Sequence, residues 1–199
     1  MTFVMASNNS GKLREIREIL SEMDIEVISQ REAGCEVSAQ ETGTTFEENA
    51  YIKAIMATTL LGLPAIADDS GLCVDALDGA PGIYSARYGN GEAKTDAERM
   101  GLLLKNMEDK TDRAARFVSC VCCTFPNGDV ITARGECEGT ITREPRGENG
   151  FGYDPIFLPS GMTMTMAEMP EETKNRISHR AKSLEEFKKG LIDYYASDK

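Results

Sequence analysis

The stretch L-P-A-I-A-D-D-S-G-L, residues 63–72, joins a short apolar run to two adjacent acidic residues. The apolar residues predict a buried β-strand, which we expect to end at Asp68 and Asp69. Successive side chains of an extended chain point to opposite faces, so the two carboxylates should not act as one pair. Two interpretations remain open. The stretch is either a solvated D-D-S-G turn or part of a site, because sites in open α/β sheets lie at the carboxyl ends of strands.

The segments on either side alternate between the periodicities of strands and helices. This alternation, with one β-hairpin inserted, predicts an α/β fold with a mixed sheet. We expect Thr44 or Thr45 to cap the second helix, and Thr95 with Glu98 to form a capping box. The expected elements are strands at 3–6, 25–29, 63–67 and 156–158, a hairpin of strands at 116–125 and 130–138, and helices at 12–23, 44–61, 96–107 and 180–196.

The composition is that of an acidic globular protein. The chain has 199 residues, which suits one domain, with or without two lobes. Its 22 Lys and Arg against 33 Asp and Glu give a formal net charge of −11. Such a surface repels polyanions, so nucleic-acid binding and attachment to an anionic membrane are disfavoured. A small anionic substrate remains compatible with this charge where cationic residues or a metal ion gather locally.

The cysteines and the lack of a targeting signal indicate where the protein works. The apolar run at residues 3–6 is too short for a signal peptide, and no window approaches the ~18 apolar residues of a membrane span. The six cysteines show no metal-knuckle spacing. Three of them lie in V-S-C-V-C-C-T-F, residues 118–125, where we expect small buried side chains. Reduced thiols and no export signal predict a cytoplasmic protein.

The loop S-N-N-S-G-K, residues 7–12, lies between a predicted strand and a predicted helix. Exposed N–H groups at a helix N-terminus, with the charge of the final lysine, favour a phosphate. The loop is not a Walker A sequence, because Ala6 and Leu13 stand where that pattern requires Gly and Ser or Thr. Ordinary capping by Asn9 or Ser10 explains the same residues, so the loop alone does not decide.

A second candidate region surrounds the start of the next helix. Glu41 precedes this helix, and Lys53 follows Asn49 by four residues, which places both on one helical face. A metal-binding role for Glu41 requires a partner carboxylate, which Asp68 or Asp69 can supply. Carboxylates beside a phosphate imply a hard cation between them, most often Mg²⁺. Acidic residues near a helix start are also common for electrostatic reasons alone.

Two later stretches carry groups that suit a flat ligand. In G-F-G-Y-D-P, residues 150–155, the glycines let the ring of Phe151 approach a base, and Asp154 can accept from a base edge. Stacking on nucleobases is worth ~1–3 kcal/mol per base in single-strand binders. Tyr153 fits an ordinary core aromatic equally well. K-N-R-I-S-H-R, residues 174–180, holds the only histidine and offers donors to carbonyl acceptors, but it also fits a solvated helix start.

Taken together, these stretches resemble the inosine triphosphate pyrophosphatase family, also called non-canonical purine NTP pyrophosphatases. The resemblance covers nearly the whole chain, and its long central motif is highly specific. The matching stretches, in the order of the family, are S-N-N-S-G-K (7–12), F-E-E-N-A-Y-I-K-A (46–54), A-D-D-S-G-L-C-V-D-A-L-D-G-A-P-G-I-Y-S-A-R-Y (67–88), G-F-G-Y-D-P-I-F (150–157) and S-H-R-A-K-S-L (178–184).

The resemblance implies Mg²⁺-dependent hydrolysis of ITP, dITP and XTP to the monophosphate and pyrophosphate, which removes deaminated purines from the nucleotide pool. It also implies an elongated two-lobed α/β fold, with a mixed, twisted central sheet flanked by helices and an active-site cleft between the lobes. The implied assembly is a homodimer. In this reading, no nucleic acid and no membrane is a partner.

The resemblance also assigns roles by position. Asp69 matches the general base and a metal-associated carboxylate, Glu41 matches a metal ligand, and Lys53 matches a catalytic lysine near the phosphates. Ser7 stands where Thr is commoner, but the hydroxyl is kept. The implied substrate-binding residues are the loop Ser7, Asn8, Asn9, Ser10, Gly11 and Lys12, then Ser70 beside the substrate, Phe151, Gly152, Tyr153 and Asp154 around the base, and Lys174, His179 and Arg180 at the purine edge.

Two rival functions follow from subsets of these residues. A non-catalytic nucleotide-binding or sensing module needs the phosphate loop and the aromatic pocket but no carboxylates, so Glu41 and Asp69 count against it. A related pyrophosphatase for modified pyrimidines is disfavoured by the purine-edge set Lys174, His179 and Arg180.

Overall fold

The structure, a computed structural model, describes residues 1–35 and 37–197, and strands and helices alternate over the first half of the chain. The strands are β1 (Thr2–Met5), β2 (Glu26–Ser29), β3 (Ala65–Val74), β4 (Ala114–Thr124), β5 (Val130–Ile141) and β6 (Phe157–Pro159). The helices are α1 (Ser10–Leu20), α2 (Phe46–Leu61), α3 (Asp96–Asn106), α4 (Glu171–Ile177) and α5 (His179–Ser197). Short 3₁₀ turns lie at Ser21–Met23, Asp75–Leu77, Gly82–Arg87 and Asp154–Ile156.

The six strands form one sheet in the order β2-β1-β3-β4-β5-β6. Strand β1 runs parallel to both β2 and β3, whereas β5 and β6 are antiparallel. A tight turn closes the link between β4 and β5, with the Phe125 N–H donating to the Asp129 carbonyl at 2.9 Å. The prediction of an α/β fold with a mixed sheet and an inserted hairpin is therefore confirmed.

The helix boundaries follow from capping residues in the sequence. Thr45 caps α2 by accepting from the Glu48 N–H, and Gly62 ends this helix at a φ of 66°, where a residue with a side chain would be strained. Thr95 and Glu98 form the predicted capping box at the head of α3. The side chain of Asn9 caps α1, which buries Ile16 and Leu20 one turn apart on its apolar face.

The chain divides into two compact units, each with its own apolar core. The first consists of Met1–Asp69, Ser119–Gly135 and the chain from Lys182 onward. Its largest buried side chains are Phe3, Ile16, Leu20, Ile66 and Phe187. The second consists of Ser70–Val118 and Glu136–Ala181, and its core is built around Leu72, Leu103, Met107, Ile141, Ile156, Phe157 and Met166. The cysteines of β4, Cys120, Cys122 and Cys123, are buried as predicted.

One strand differs from the prediction in a way that matters for the site. Strand β3 does not end at the aspartates but continues through them to Val74. Its partner β1 ends opposite Ile66. Beyond that point Leu72 and Val74 are fully buried, and this burial stabilises the continued extended conformation of β3. The side chain of Asp68 is only 6% exposed. The interpretation of this stretch as a solvated turn is therefore wrong.

The carboxyl-terminal part also differs in detail. A short helix, α4, which was not predicted, covers Glu171–Ile177, and α5 begins directly after Ser178. None of the helices in the described part of the chain has the length and apolar character that a membrane span requires.

Candidate active site

The loop after β1 is organised by its own side chains. The Oδ1 of Asn9 accepts from the N–H groups of Gly11 and Lys12 at 2.9 and 3.1 Å. The Asn9 N–H in turn donates to the Ser7 hydroxyl at 3.2 Å. Two of the helix N-terminal donors that a phosphate would otherwise use are thus engaged by Asn9, while Asn8 and Asn9 themselves are exposed. The capping alternative is therefore realised in this structure.

The lysine that ends this loop forms an ion pair with the first aspartate of β3. The Nζ of Lys12 lies 2.9 Å from Oδ1 of Asp68, and the lysine is about one quarter exposed while the aspartate is buried. β1 and β3 are neighbours in register up to Ile66, so the loop that follows β1 reaches the residues that follow Ile66 on β3. Asp68 therefore holds the position of Lys12.

The second aspartate belongs to a separate charged group with Glu41 and Lys53. The ammonium of Lys53 lies 2.9 Å from Oε1 of Glu41 and 2.9 Å from Oδ1 of Asp69. All three side chains are largely buried. Strand alternation separates Asp68 from Asp69, as the sequence predicted, and sends each carboxylate to a different lysine. We call Glu41, Lys53 and Asp69 the carboxylate–lysine cluster.

Burial and charge shift the proton affinities within this cluster. Burial on its own lowers the pKa of Lys53, but the charge of Asp69 and the hydrogen bonds to Asp69 and Glu41 outweigh it, so the pKa lies above its ordinary value. Burial raises the pKa of Asp69, with the nearby charge of Glu41 adding to the effect and Lys53 offsetting part of it. Lys53 therefore stays protonated at neutral pH, whereas Asp69 is a more basic carboxylate than usual.

One residue of this site was missed as a site residue by the sequence analysis. Asn49 on α2 is fully buried; its Oδ1 accepts from the Gly43 N–H at 2.9 Å, and its Nδ2 donates to Oδ2 of Asp69 at 3.4 Å. The available signal was an amide side chain in F-E-E-N-A, four residues before Lys53, on a helix whose other buried residues are mostly alanines. Its partners could not be read from spacing, because they lie on two other segments.

The carboxylate–lysine cluster suits a hard cation that is shared with a substrate. Among residues 1–35 and 37–197 no group of three or more His, Cys, Asp or Glu is arranged to hold a metal ion. Glu41 and Asp69 nevertheless place oxygen ligands around a common cation, at present the ammonium of Lys53. Mg²⁺ in particular is usually held by one or two carboxylates together with waters and substrate phosphates rather than by an all-protein cage. The donor set present fits that mode.

A second group of predicted residues lies within the second unit, around Phe151. The ring of Phe151 is 64% exposed, with the Lys174 ammonium 5.1 Å and the Arg180 guanidinium 6.0 Å from its centroid. Asp154 is buried; its Oδ2 accepts from the Phe151 N–H at 2.9 Å and pairs with Lys174 at 2.6 Å. In this structure Asp154 therefore fixes the loop and its lysine. We call Phe151, Asp154, Lys174 and Arg180 the aromatic–basic cluster.

The remaining predicted residues around this cluster are engaged by the protein itself. Tyr153 is 5% exposed, and its hydroxyl donates to the Ser85 carbonyl at 2.9 Å, so it anchors the loop from inside, as the core-aromatic alternative held. Burial raises the pKa of Tyr153. The Gly152 N–H donates to Oδ2 of Asp96 at 2.8 Å. His179, at the start of α5, stacks on Phe117 with ring centroids 4.8 Å apart.

Comparisons with known proteins place the chain in a family. The Ham1 family matches residues 3–190. Proteins named dITP/XTP pyrophosphatase from Haemophilus ducreyi and Deinococcus deserti are 50% and 49% identical to the chain; the matches cover 94% and 91% of this chain, and 97% and 85% of the relatives. The solved Ham1 proteins of Staphylococcus aureus and Coxiella burnetii superpose with TM-scores of 0.92, at 41% and 45% identity. These matches cover 98% and 97% of this chain, and 100% and 99% of those chains.

Proposed function

Because the chain belongs to the Ham1 family, we propose that it is a nucleoside triphosphate pyrophosphatase acting on dITP, ITP and XTP. The products are the nucleoside monophosphate and pyrophosphate. The relatives named dITP/XTP pyrophosphatase, at about half identity over nearly the full chain, support the substrate class. The observation that carries the proposal on this chain is the carboxylate–lysine cluster, in which one ammonium is shared by Glu41 and Asp69 at 2.9 Å.

Asp69 is the proposed general base. In the reaction a water oxygen forms a bond to the α-phosphorus, the bond from this phosphorus to the α–β bridging oxygen breaks, and pyrophosphate leaves. The attacking water gives up a proton, and a carboxylate with a raised pKa is better suited to accept it than an ordinary one. Lys53 cannot be the base, because its raised pKa keeps it protonated.

The lysines supply positive charge to a substrate that carries several negative charges. Lys53 and Lys12 each sit against a carboxylate, so their ammonium groups are fixed in place and need little reorganisation when charge develops on the phosphates. Mg²⁺, held by Glu41 and Asp69, would neutralise the phosphates and polarise the phosphoryl oxygen. Ser7, Ser10 and the exposed side chain of Asn8 are the proposed further contacts of the phosphate loop.

The aromatic–basic cluster is the proposed reader of the base. The exposed ring of Phe151 offers a stacking face, and Lys174, His179 and Arg180 are the proposed donors to O6 of a 6-keto purine. Adenine carries an amino group there, which cannot accept a hydrogen bond from these donors, so the contact that a 6-keto purine makes is lost. Ser70, next to Asp69 on β3 and partly exposed, is the proposed contact beside the substrate.

A panel of nucleotides tests the proposal. Pyrophosphate release is measured with dITP, ITP, XTP, ATP, GTP and dUTP in the presence of Mg²⁺, and we expect kcat/KM for the first three to exceed that for ATP by at least about a hundredfold. Equal values for ATP and ITP would refute the purine-edge assignment. Binding without pyrophosphate release would favour the non-catalytic module, and a preference for dUTP would favour the pyrimidine enzyme.

The variant Asp69→Asn tests the proposed general base. It should lower kcat by about 10²–10⁴.

A metal panel and a hydrodynamic measurement address the remaining parts of the proposal. Activity should depend on a divalent cation. Mg²⁺ is the expected one, because it is usually bound by one or two carboxylates together with substrate phosphates. A homodimer and a cytoplasmic location also form part of the proposed function. Sedimentation of the full chain at micromolar concentration tests the first, and cell fractionation tests the second.

A further inference from the structure

Asn49 joins three segments of the first unit at one point. It lies on α2 four residues before Lys53, it receives the Gly43 N–H, and it donates to Asp69 on β3. The segment it holds through Gly43 is the one that carries Glu41. A single buried amide thus ties both carboxylates of the carboxylate–lysine cluster to the helix that supplies its lysine.

The two oxygens of Asp69 are engaged differently as a result. Oδ1 faces Lys53 at 2.9 Å, and Oδ2 faces the Asn49 amide at 3.4 Å. With one donor on each oxygen, rotation of the carboxylate about its χ2 bond breaks at least one hydrogen bond, which is unfavourable in a buried setting. The carboxylate is therefore held in one orientation before any substrate arrives.

Close packing makes the arrangement depend on a glycine as well. A methyl group placed on Gly43 would lie 2.7 Å from Oδ1 of Asn49 and 2.7 Å from Cβ of Glu48. Neither contact can be tolerated without a shift, and Asn49, fully buried within the unit, has little room to move. The side chain of Asn49 therefore fits in this place only because residue 43 has no side chain.

We propose that Asn49 is a positioning residue for the hydrolytic reaction: it fixes the orientation of Asp69 and the approach of the Glu41 segment without touching the nucleotide. This inference rests on the proposed function, because it assigns to Asn49 the task of aiming the proposed base. None of its partners belongs to the phosphate loop or the aromatic–basic cluster. At a Mg²⁺ concentration that saturates the enzyme, its loss should therefore reduce kcat and leave KM nearly unchanged.

The test compares Asn49→Leu with a matched control on the same helix. Asn49→Leu keeps the size of the side chain and removes both hydrogen bonds. Thr58→Val removes a buried side-chain hydrogen bond on the same helix, from the Thr58 hydroxyl to Thr124, which involves no member of the cluster. Both variants should lower the midpoint of thermal unfolding. Only Asn49→Leu should lower kcat, on the order of ten- to a hundredfold, with KM for dITP within about threefold of the wild type.

Each outcome has a distinct meaning. Wild-type kcat in Asn49→Leu, or an equal kcat loss in Thr58→Val, overturns the positioning role. If Asn49→Leu does not fold, Gly43→Ala decides, because it displaces the amide without deleting it: reduced kcat with KM retained supports the role, and unchanged kcat overturns it. A wild-type protein that hydrolyses no member of the nucleotide panel instead refutes the proposed function itself.

Discussion

Lys53 is the residue through which two carboxylates from separate segments are held together. Its ammonium is equidistant, at 2.9 Å, from a carboxylate on the segment before α2 and another on β3. Without that charge, Glu41 and Asp69 would repel each other in surroundings that are largely buried. The same charge is available to phosphates, because the lysine remains protonated.

Replacing Lys53 with methionine removes the charge and keeps the aliphatic stem. We expect kcat for dITP to fall by about 10²–10³, the range typical for loss of one charge-stabilising group in an active site, while circular dichroism shows the wild-type fold. Lys189→Met is the matched control, because Lys189 also contacts two carboxylates, Glu185 and Glu186, but is exposed on α5. A Lys53→Met enzyme within threefold of wild-type kcat would contradict an electrostatic role.

At the scale of single residues, the sequence identified the charged groups but not their pairing. Glu41, Lys53 and Asp69 were candidates because their chemistry suits phosphates and because the motifs resemble a known family. The pairing of Lys12 with Asp68 depends on the register of β1 against β3, and the contact of Asn49 with Asp69 spans 20 positions in the chain. No local pattern encodes such contacts, since they arise only when the sheet has formed.

At the scale of elements, the loop of Phe151 is held by neighbours that have no catalytic chemistry of their own. Asp96, the first residue of α3, accepts from the Gly152 N–H at 2.8 Å and from Arg99 at 2.6 Å. The hydrogen bond from Arg99, together with the one from Gly152, lowers the pKa of Asp96. The start of α3 thus supports the loop that carries the exposed ring of Phe151.

Cutting this support should affect binding more than chemistry. In Asp96→Ala the Gly152 N–H loses its acceptor and the loop gains freedom, so we expect KM for dITP to rise about three- to tenfold with kcat within twofold. Such a rise corresponds to roughly 0.7–1.4 kcal/mol of lost binding. Steady-state kinetics with varied dITP measures both constants.

Glu98→Ala provides the control for that prediction. It breaks the capping box of the same helix, where Glu98 accepts from the N–H groups of Lys94 and Thr95, but it leaves the contact between Asp96 and Gly152 in place. Both variants destabilise the head of α3. An equal rise of KM in Glu98→Ala would mean that helix stability, rather than the direct contact, governs the loop.

The elements themselves were predictable where local signals were strong. The caps Thr45 and Thr95, the apolar spacing of α1 and the hairpin turn are all local, and each is confirmed. The extent of β3 could not be predicted. The polar residues in its middle suggested that the strand ends there, whereas the buried residues Leu72 and Val74 extend it beyond them. Helix α4 was not predicted, because none of its seven residues after Pro170 is buried and they therefore show no apolar periodicity.

At the scale of the whole molecule, the excess of acidic residues makes stability depend on pH. Among the described residues, six carboxylates outside the carboxylate–lysine cluster have a lowered pKa. Hydrogen bonds accepted from backbone or side-chain groups lower it, and at Glu47 they outweigh burial, which alone would raise it. The six are Glu32, Glu47, Glu48, Asp96, Glu98 and Glu168. A group whose pKa is lower in the folded state stabilises the fold above its unfolded pKa and loses this contribution as the pH falls through the folded pKa. Asp69 has a raised pKa in the folded protein, so its contribution favours the fold at low pH and is lost as the pH rises through that pKa.

The balance predicts acid destabilisation of the fold. The free energy of unfolding, measured by urea titration, should be nearly constant from pH 7 to 5.5 and should fall as the pH drops below about 4.5, where carboxyl groups titrate in unfolded chains. Protonation also reduces the repulsion that accompanies a net charge of −11, which works against this loss. Stability that rises steadily from pH 6 to 3.5 would show that repulsion outweighs the hydrogen-bonded carboxylates. A smaller acid loss in Asp96→Asn than in the wild type would assign part of the effect to the contact that supports the Phe151 loop, because asparagine at that position can no longer titrate.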